Sequence, residues 1–243
     1  MDFKEIYYPE SRFGGFTNLD GNIIFYTRIN ALLKPSSVVL DIGCGRGAYG
    51  ADSNAYRRNL HILKGKCRRV IGIDVDPAAK DNPYIDEFHL IKENGFPVET
   101  ESIDLAICDH VLEHVAEPEK LFSECQRIIR PLGILCMRTT NSLGYVGLIS
   151  KLIPNRFHER VLKKAKHEKE GEDIFPTYYR CNTIGKLRRM LNKYGFDHCV
   201  YGYEAEPMYL SFSRFCYRLG VLHQRFAPNI IKLAIFAFGK KVE

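Results

Sequence analysis

Two stretches of the chain hold residues whose types and spacing could do chemistry. DIGCGRGAYG (41–50) places Asp41 two residues before the first of three closely spaced glycines, Gly43, Gly45 and Gly47. Glycines so spaced allow a tight turn and let backbone approach a ligand. Gly45, Gly47 and Gly50 also satisfy the G-x-G-x-x-G pattern of dinucleotide sites, a weak signal on its own. Asp41 argues against such a ligand, because a pyrophosphate would meet a carboxylate there. A ligand carrying ammonium and sulfonium groups would be attracted. Asp74 ends the apolar run of IGIDVD (71–76), where acids in sheets of this kind take two ribose hydroxyls. Asp76 is close by, and Asp74 is preferred because it ends the run. The second stretch, DHVLEHV (109–115), spells H-x-x-E-H with His110, Glu113 and His114, the zinc spacing of one class of metalloproteases. That chemistry needs both histidines on one continuous helix and a further ligand. Here His110 directly follows the apolar run IDLAICD, and Pro118 starts the next helix, so no metal is expected. A histidine can instead serve as a base near neutral pH, and the two candidates are His110 first and His158 second.

The elements that must position these residues are legible as alternating apolar runs and helical patterns. SVVLDIG (37–43), RVIGIDVD (69–76), FHLI (88–91), IDLAICD (103–109) and GILCMRTTN (133–141) read as strands buried on both faces. FDHCVYGYE (196–204) and KLAIFAFGKK (232–241) read as two last strands. EKLFSECQRIIR follows Pro118 as a helix with Leu121, Phe122, Cys125, Ile128 and Ile129 on one face, stopped by Pro131 and Gly133. NTIGKLRRMLNKYG (182–195) is a second, capped by Asn182 or Thr183 and ended by Gly195. Strands alternating with helices predict βαβ units and a mainly parallel sheet, whose ligands bind outside the carboxyl ends of the strands.

The chain has 243 residues, enough for one sizeable α/β core. No apolar run approaches the roughly 20 residues needed to span a bilayer. The start, MDFKEIYYPE, does not read as a signal peptide. Eight cysteines include no C-x-x-C pair, which fits reduced thiols in a cytoplasmic protein better than zinc or disulfides. The net charge of +6 is concentrated in RRNLHILKGKCRR (57–69) and RFHERVLKKAKHEK (156–169). These runs are solvated surface, or they attract an anionic partner such as a phosphorylated substrate, a membrane or nucleic acid. The first run contains no aromatic residue, which disfavours an RNA surface.

Taken in order, VVLDIGCGRG, IGIDVD, IDLAICDHVLEHV and LFSECQRIIRPLGILCMRTTN resemble class I S-adenosylmethionine-dependent methyltransferases over residues 36–141, with a looser match over 182–204. The resemblance implies a Rossmann-like α/β fold: a seven-stranded, mainly parallel sheet with its last strand antiparallel. It implies S-adenosyl-L-methionine as cofactor, with S-adenosyl-L-homocysteine as product. Asp41, Gly43, Cys44, Gly45 and Gly47 would line its methionine end, and Asp74 with Val75 its ribose. Asp109 and His110 would sit at the strand lip, and His114 would order the turn. Adenine contacts fall around Lys92, Glu93 and Asn94. The usual glycine pair after the fourth helix is replaced by Pro-Leu-Gly (131–133).

A single domain is expected, with an N-terminal helical segment (1–35), a cofactor-binding core (36–141), a cap insertion (142–180) and a C-terminal helix with strands (181–243). Long insertions at this edge usually cover a binding site. Arg138, Arg156, Tyr178 and Arg180 are the expected acceptor contacts, and their charge points to an anionic molecule. The segment 11–33 and the phrase FPTYYRCNT are similar to bacterial methyltransferases associated with surface-polysaccharide synthesis, which implies O-methylation of a saccharide, free or lipid-linked. In PMYLSFSRFCYRLGVLHQRFAP (207–228) drawn as a helix, Phe212, Phe215, Leu219, Leu222 and Phe226 share one face, and Arg214, Arg218 and Arg225 another. Such a helix packs on the body as a cap or lies on a membrane, here the inner surface. Competing functions are an RNA methyltransferase or RNA-binding protein, and a nicotinamide-dependent oxidoreductase, which Asp41 disfavours.

Overall fold

Each apolar run becomes a strand, because residues apolar on both faces of the pleat can only be satisfied between two helical layers. The computed structural model of the chain describes residues 3–92, 95–152 and 175–242. The strands are β1 (Val38–Ile42), β2 (Arg69–Asp74), β3 (Glu87–Leu90), β4 (Ile103–Asp109), β5 (Ile129–Thr140), β6 (Phe196–Tyr203) and β7 (Ala234–Lys241). They form one sheet of seven in the order β3-β2-β1-β4-β5-β7-β6. β7 runs antiparallel to both β5 and β6, and the other neighbours are parallel. The strand order reverses between β1 and β4, so the carboxyl ends of β1, β2 and β4 share one crevice.

The helices are α1 (Phe3–Tyr7), α2 (Gly21–Leu32), α3 (Ala55–His61), α4 (Pro118–Ile128), α5 (Tyr145–Leu152), α6 (Ile184–Lys193) and α7 (Arg214–Phe226). On one face of the sheet, Leu121, Phe122 and Cys125 of α4 and Leu187 and Leu191 of α6 pack on Leu40, Ile73 and Met137. On the other, Phe25, Tyr26 and Ile29 of α2 pack on Val39, Leu105 and Phe236. Asp20 caps α2 by accepting the N–H groups of Asn22 and Ile23.

Two local expectations change, and of the two expected caps for α6 one is taken. α4 ends at Ile128, and the chain passes straight into β5, so Ile129 is a strand residue. Pro131, Leu132 and Gly133 therefore lie in the strand, where the pairing with β4 shifts register between Ile103 and Leu105. A bulge tolerates a residue with no N–H to donate, so proline does not act as a helix stop here. Thr183 caps α6 by accepting the Lys186 N–H, while the amide of Asn182 turns inward to Thr139 and the carbonyl of Thr140. The 207–228 stretch is a short 3-10 turn, Met208–Leu210, followed by α7 rather than one helix. Residues 93–94, part of the expected adenine region, and most of the expected cap lie outside the described residues.

Candidate active site

The glycine loop turns between β1 and a 3-10 turn, Ala48–Ala51. Gly43 has φ +70°, and a Cβ there would stand 2.4 Å from Val111. Gly45 has φ +53° with open space where a Cβ would be, so the loop presents bare backbone to the crevice. No α-helix starts directly at this loop; α3 begins only at Ala55. A dinucleotide pyrophosphate would need that helix N-terminus. Asp74 braces the loop from β2, its two oxygens accepting the N–H groups of Gly45 and Asp76, each at 2.9 Å. A carboxylate so bonded still has lone pairs for ribose hydroxyls. Asp76 is committed to Arg46 and to the N–H of Ala78. Cys44 is buried, with its sulfur packed against Gly72 and its N–H donated to Ile73, so it shapes the loop and offers no polar side-chain contact. Val75 is exposed just beyond β2.

Three carboxylates converge at the strand ends. Burial, then the negative charges of Asp109 and Asp74, raises the Asp41 carboxyl to about 7. Burial also opposes the charge of Asp109, but Arg138 and His110 outweigh it and hold that carboxyl at about 2. Arg138 grips both Asp109 oxygens at 2.6 Å and donates to the Asn22 side chain at 2.7 Å. The Tyr26 hydroxyl adds a 2.9 Å bond to Asp109. His61 is stacked between Tyr26 and Tyr49, with ring centroids 3.8 Å away on each side. Its burial lowers it to about 4, so it is neutral at pH 7.

His110 stands at the end of β4 with φ +55°, a conformation costly for a residue with a Cβ. Its ring is half exposed. Its Nδ1 lies 3.1 Å from Glu113, which is buried and also accepts the hydroxyls of Thr139 and Thr140. Burial pushes Glu113 upward, but His110 and Thr139 pull it down to about 2. Through Nδ1 the His110 ring is oriented by the buried Glu113 carboxylate, while its Nε2 lies 4.0 Å from Asp109. His110 and His114 do not share a helix: Leu112–His114 is a 3-10 turn, and the His114 Nδ1 bonds to the Pro176 carbonyl. His114 and Glu113 both tie this turn to the 175–179 segment: the Glu113 backbone carbonyl accepts the N–H groups of Tyr178 and Tyr179. Among the described residues no group of three or more His, Cys, Asp or Glu could hold a metal.

On the far side of His110 a cavity of about 360 Å³ opens over β5 and β7. Asn22, Arg57, Arg138, Thr140, Tyr203 and Glu206 are among its lining. Arg57 is spent on Asp20 at 2.7 Å and on Asp52, as Arg138 is on Asp109. A larger recess of about 560 Å³ beside Arg28 and His198 lies at the opposite, amino end of β5.

The structure brings Asp41, Gly43, Gly45, Gly47, Asp74, Asp109 and His110 to one crevice. Of the expected acceptor contacts among the described residues, only Arg138 lines the cavity. Arg138 is buried in its ion pair, and Tyr178 and Arg180 are exposed and do not line the cavity. Arg156 and His158 lie outside the described residues. Sequence reasoning missed Tyr26, Arg57, Glu113, Tyr203 and Glu206. Only Glu113 carried a signal, as part of the histidine string.

Residues 40–137 match the model of a family described as methyltransferase domain. The chain is 33% identical over 134 residues to a probable S-adenosylmethionine-dependent methyltransferase of Mycolicibacterium smegmatis, covering 53% of this chain and 47% of that protein. It is 30% identical over 142 residues to a ubiquinone biosynthesis O-methyltransferase of Hahella chejuensis, covering 51% and 56%. The chain thus spans about half the length of the curated relatives it matches. Its fold is similar to the crystal structure of a SAM-dependent methyltransferase from Archaeoglobus fulgidus, with TM-score 0.56 and 17% identity over 96% of this chain and 97% of that one.

Proposed function

We propose that this chain is a class I S-adenosylmethionine-dependent methyltransferase that transfers a methyl group to a hydroxyl of a polar small molecule, with a saccharide as the preferred class. The observation that carries this reading is His110, oriented by a buried carboxylate and standing between a carboxylate-lined crevice and a cavity of hydroxyls and aromatic rings. The residues of the crevice fit S-adenosyl-L-methionine: bare backbone at Gly45, a carboxylate at Asp74 for ribose, and negative charge at Asp41 for an ammonium or sulfonium. The bound cofactor supplies an electrophilic methyl on a positive sulfur. The chain does the rest. Arg138 and Tyr26 fix Asp109 at the lip. Glu113 holds the Nδ1 proton of His110. Nε2 of His110 would take the acceptor hydroxyl's proton as the oxygen accepts the methyl group that the cofactor would supply.

The expected anionic acceptor gains no support from the described residues, where the arginines lining the cavity are already paired with acids. A neutral hydroxylated ligand suits the lining better, with Thr140, Tyr203, Asn22 and Glu206 as hydrogen-bonding partners. Surface-polysaccharide synthesis in the cytoplasm is consistent with that acceptor. The test is calorimetry with S-adenosylmethionine and its demethylated product, followed by transfer of labelled methyl to a panel of saccharides. Micromolar-range cofactor binding and label on a saccharide oxygen are expected. Binding of nicotinamide dinucleotides in its place, or label appearing on RNA and on no saccharide, would overturn the reading.

A further inference from the structure

α7 shows an apolar stripe to solvent. Phe215, Leu219, Leu222 and Phe226 recur at intervals of four, three and four residues, which places them along one side of a helix. Phe215 is 68% exposed, Phe226 78%, and Phe212, just before the helix, 77%. Leu219 and Leu222 are each about half exposed. The helix needs none of these residues to hold it to the body. Tyr217, Gly220 and Val221, on its opposite side, are buried. Tyr217 and Val221 pack with Tyr8, Phe3 and Leu19. Gly220 lies so close to the body that a Cβ would stand 2.4 Å from Pro207. The stripe is therefore a second apolar face, left over after the packing face is satisfied. Large contiguous exposed apolar patches mark interaction sites.

The charges beside the stripe narrow the partner. Arg214, Arg218 and Arg225 are exposed and fall together along one flank of it. Residues 207–242 contain no aspartate or glutamate. An apolar stripe with arginines at its edge and no acid suits the boundary between acyl chains and negatively charged headgroups. A second copy of the chain fits less well. Stripe-to-stripe pairing would bring the arginines of both copies together with no acid on the helix to neutralise them. No helix among the described residues is long and apolar enough to cross a membrane.

We propose that the outward face of α7 is a docking surface for an anionic lipid bilayer. Met208 and Tyr209, in the turn leading into α7, are exposed and also line the cavity beyond His110. Docking by this face brings the cavity mouth toward the headgroup layer. That last consequence rests on the methyl-transfer reading; the docking itself does not.

The test is co-sedimentation of the full chain with vesicles of phosphatidylcholine alone and of phosphatidylcholine with phosphatidylglycerol, read without any activity assay. The wild type sediments with the phosphatidylglycerol vesicles and not with the neutral ones, and raised salt weakens the binding. Phe215→Ser/Leu222→Ser/Phe226→Ser lowers binding by roughly tenfold or more, since the lost apolar contact supplies most of the attachment. Arg214→Gln/Arg218→Gln lowers it less and flattens the salt dependence. All of these positions are exposed, so circular dichroism and the melting temperature stay at wild-type values. The proposal is overturned if the wild type ignores phosphatidylglycerol vesicles, if the serine variant binds them as well as the wild type, or if neutral vesicles bind equally. It is also overturned if the protein sediments as a dimer that the serine variant converts to a monomer, which would assign the face to a second copy.

Discussion

The crevice on one side of His110 and the cavity on the other are built on opposite electrostatic plans. In the crevice, Asp41, Asp74 and Asp109 crowd together, and burial with like charge raises Asp41 to about 7. In the cavity, both arginines of the described lining are matched to acids, Arg57 to Asp20 and Asp52 and Arg138 to Asp109. The first region is left short of positive charge, which suits a cationic ligand. The second pairs its arginines with acids, adds the Glu206 carboxylate, and presents hydroxyls and rings, which suits a hydroxylated ligand. Arg138 is the hinge of this contrast. It sits between the two regions and is spent on holding Asp109 in place.

Removing Arg138 should have the largest effect. Arg138→Ala strands Asp109 as an unpaired buried charge and should cost about 3–5 kcal/mol of stability, read by urea denaturation. A small cost would mean that Asp109 is less confined than its contacts imply, and the contrast would blur. Asp41→Asn should act in opposite directions on stability and binding. The Asp41 pKa is raised on folding, from 3.8 to about 7, so the folded state takes up a proton as pH falls. The ionised form therefore penalises folding above pH 7, and the penalty disappears below pH 4. The asparagine variant without ligand should be more stable than wild type by about 1–2 kcal/mol at pH 8 and no more stable at pH 4. It should bind S-adenosylmethionine about 10–100-fold more weakly at pH 8, since it lacks the attracting charge. Glu113→Gln should lower the rate of methyl transfer about 10–100-fold with the cofactor's Kd unchanged, because His110 loses the partner that fixes its tautomer. Asp109 and Glu113, both held at about 2, stabilise the fold above pH 4, and that contribution should fade as the pH drops toward 2 in acid-denaturation curves. Arg180→Ala should be the mildest, shifting stability by less than about 0.5 kcal/mol, as expected for an exposed side chain away from the cavity. A large rise in the acceptor's KM on that change would restore an arginine-lined acceptor site.

The crevice was legible in the sequence because its residues follow one another in the strands that carry them. Asp41, Asp74 and Asp109 each end an apolar run, and parallel pairing of β1, β2 and β4 brings those ends together without further instruction. The cavity was not legible in the same way. Asn22 comes from α2, Arg57 from α3, Tyr203 and Glu206 from β6 and the loop after it, and Leu233 from beside β7. No local pattern links such distant pieces. Arginines near the expected site suggested an anion, but charge counted along a sequence does not show which charges are already paired. The expectation for α4 failed for a related reason. Pro131 stops a helix locally, yet tertiary pairing with β4 had already claimed the chain from Ile129 onward. The stripe on α7 shows a further limit: its spacing was visible in the sequence, but only packing shows that the opposite face is the buried one.

In the proposed mechanism His110 serves the acceptor side and leaves the crevice to hold the cofactor. His110→Gln tests it most directly, with the Kd for S-adenosylmethionine taken by calorimetry and the single-turnover rate of methyl transfer measured on the same protein. The expected result is a Kd within about twofold of wild type and a rate lowered by about 100-fold or more, the size of a lost general base. A variant that keeps its rate, or one whose cofactor affinity collapses along with it, would contradict the claim.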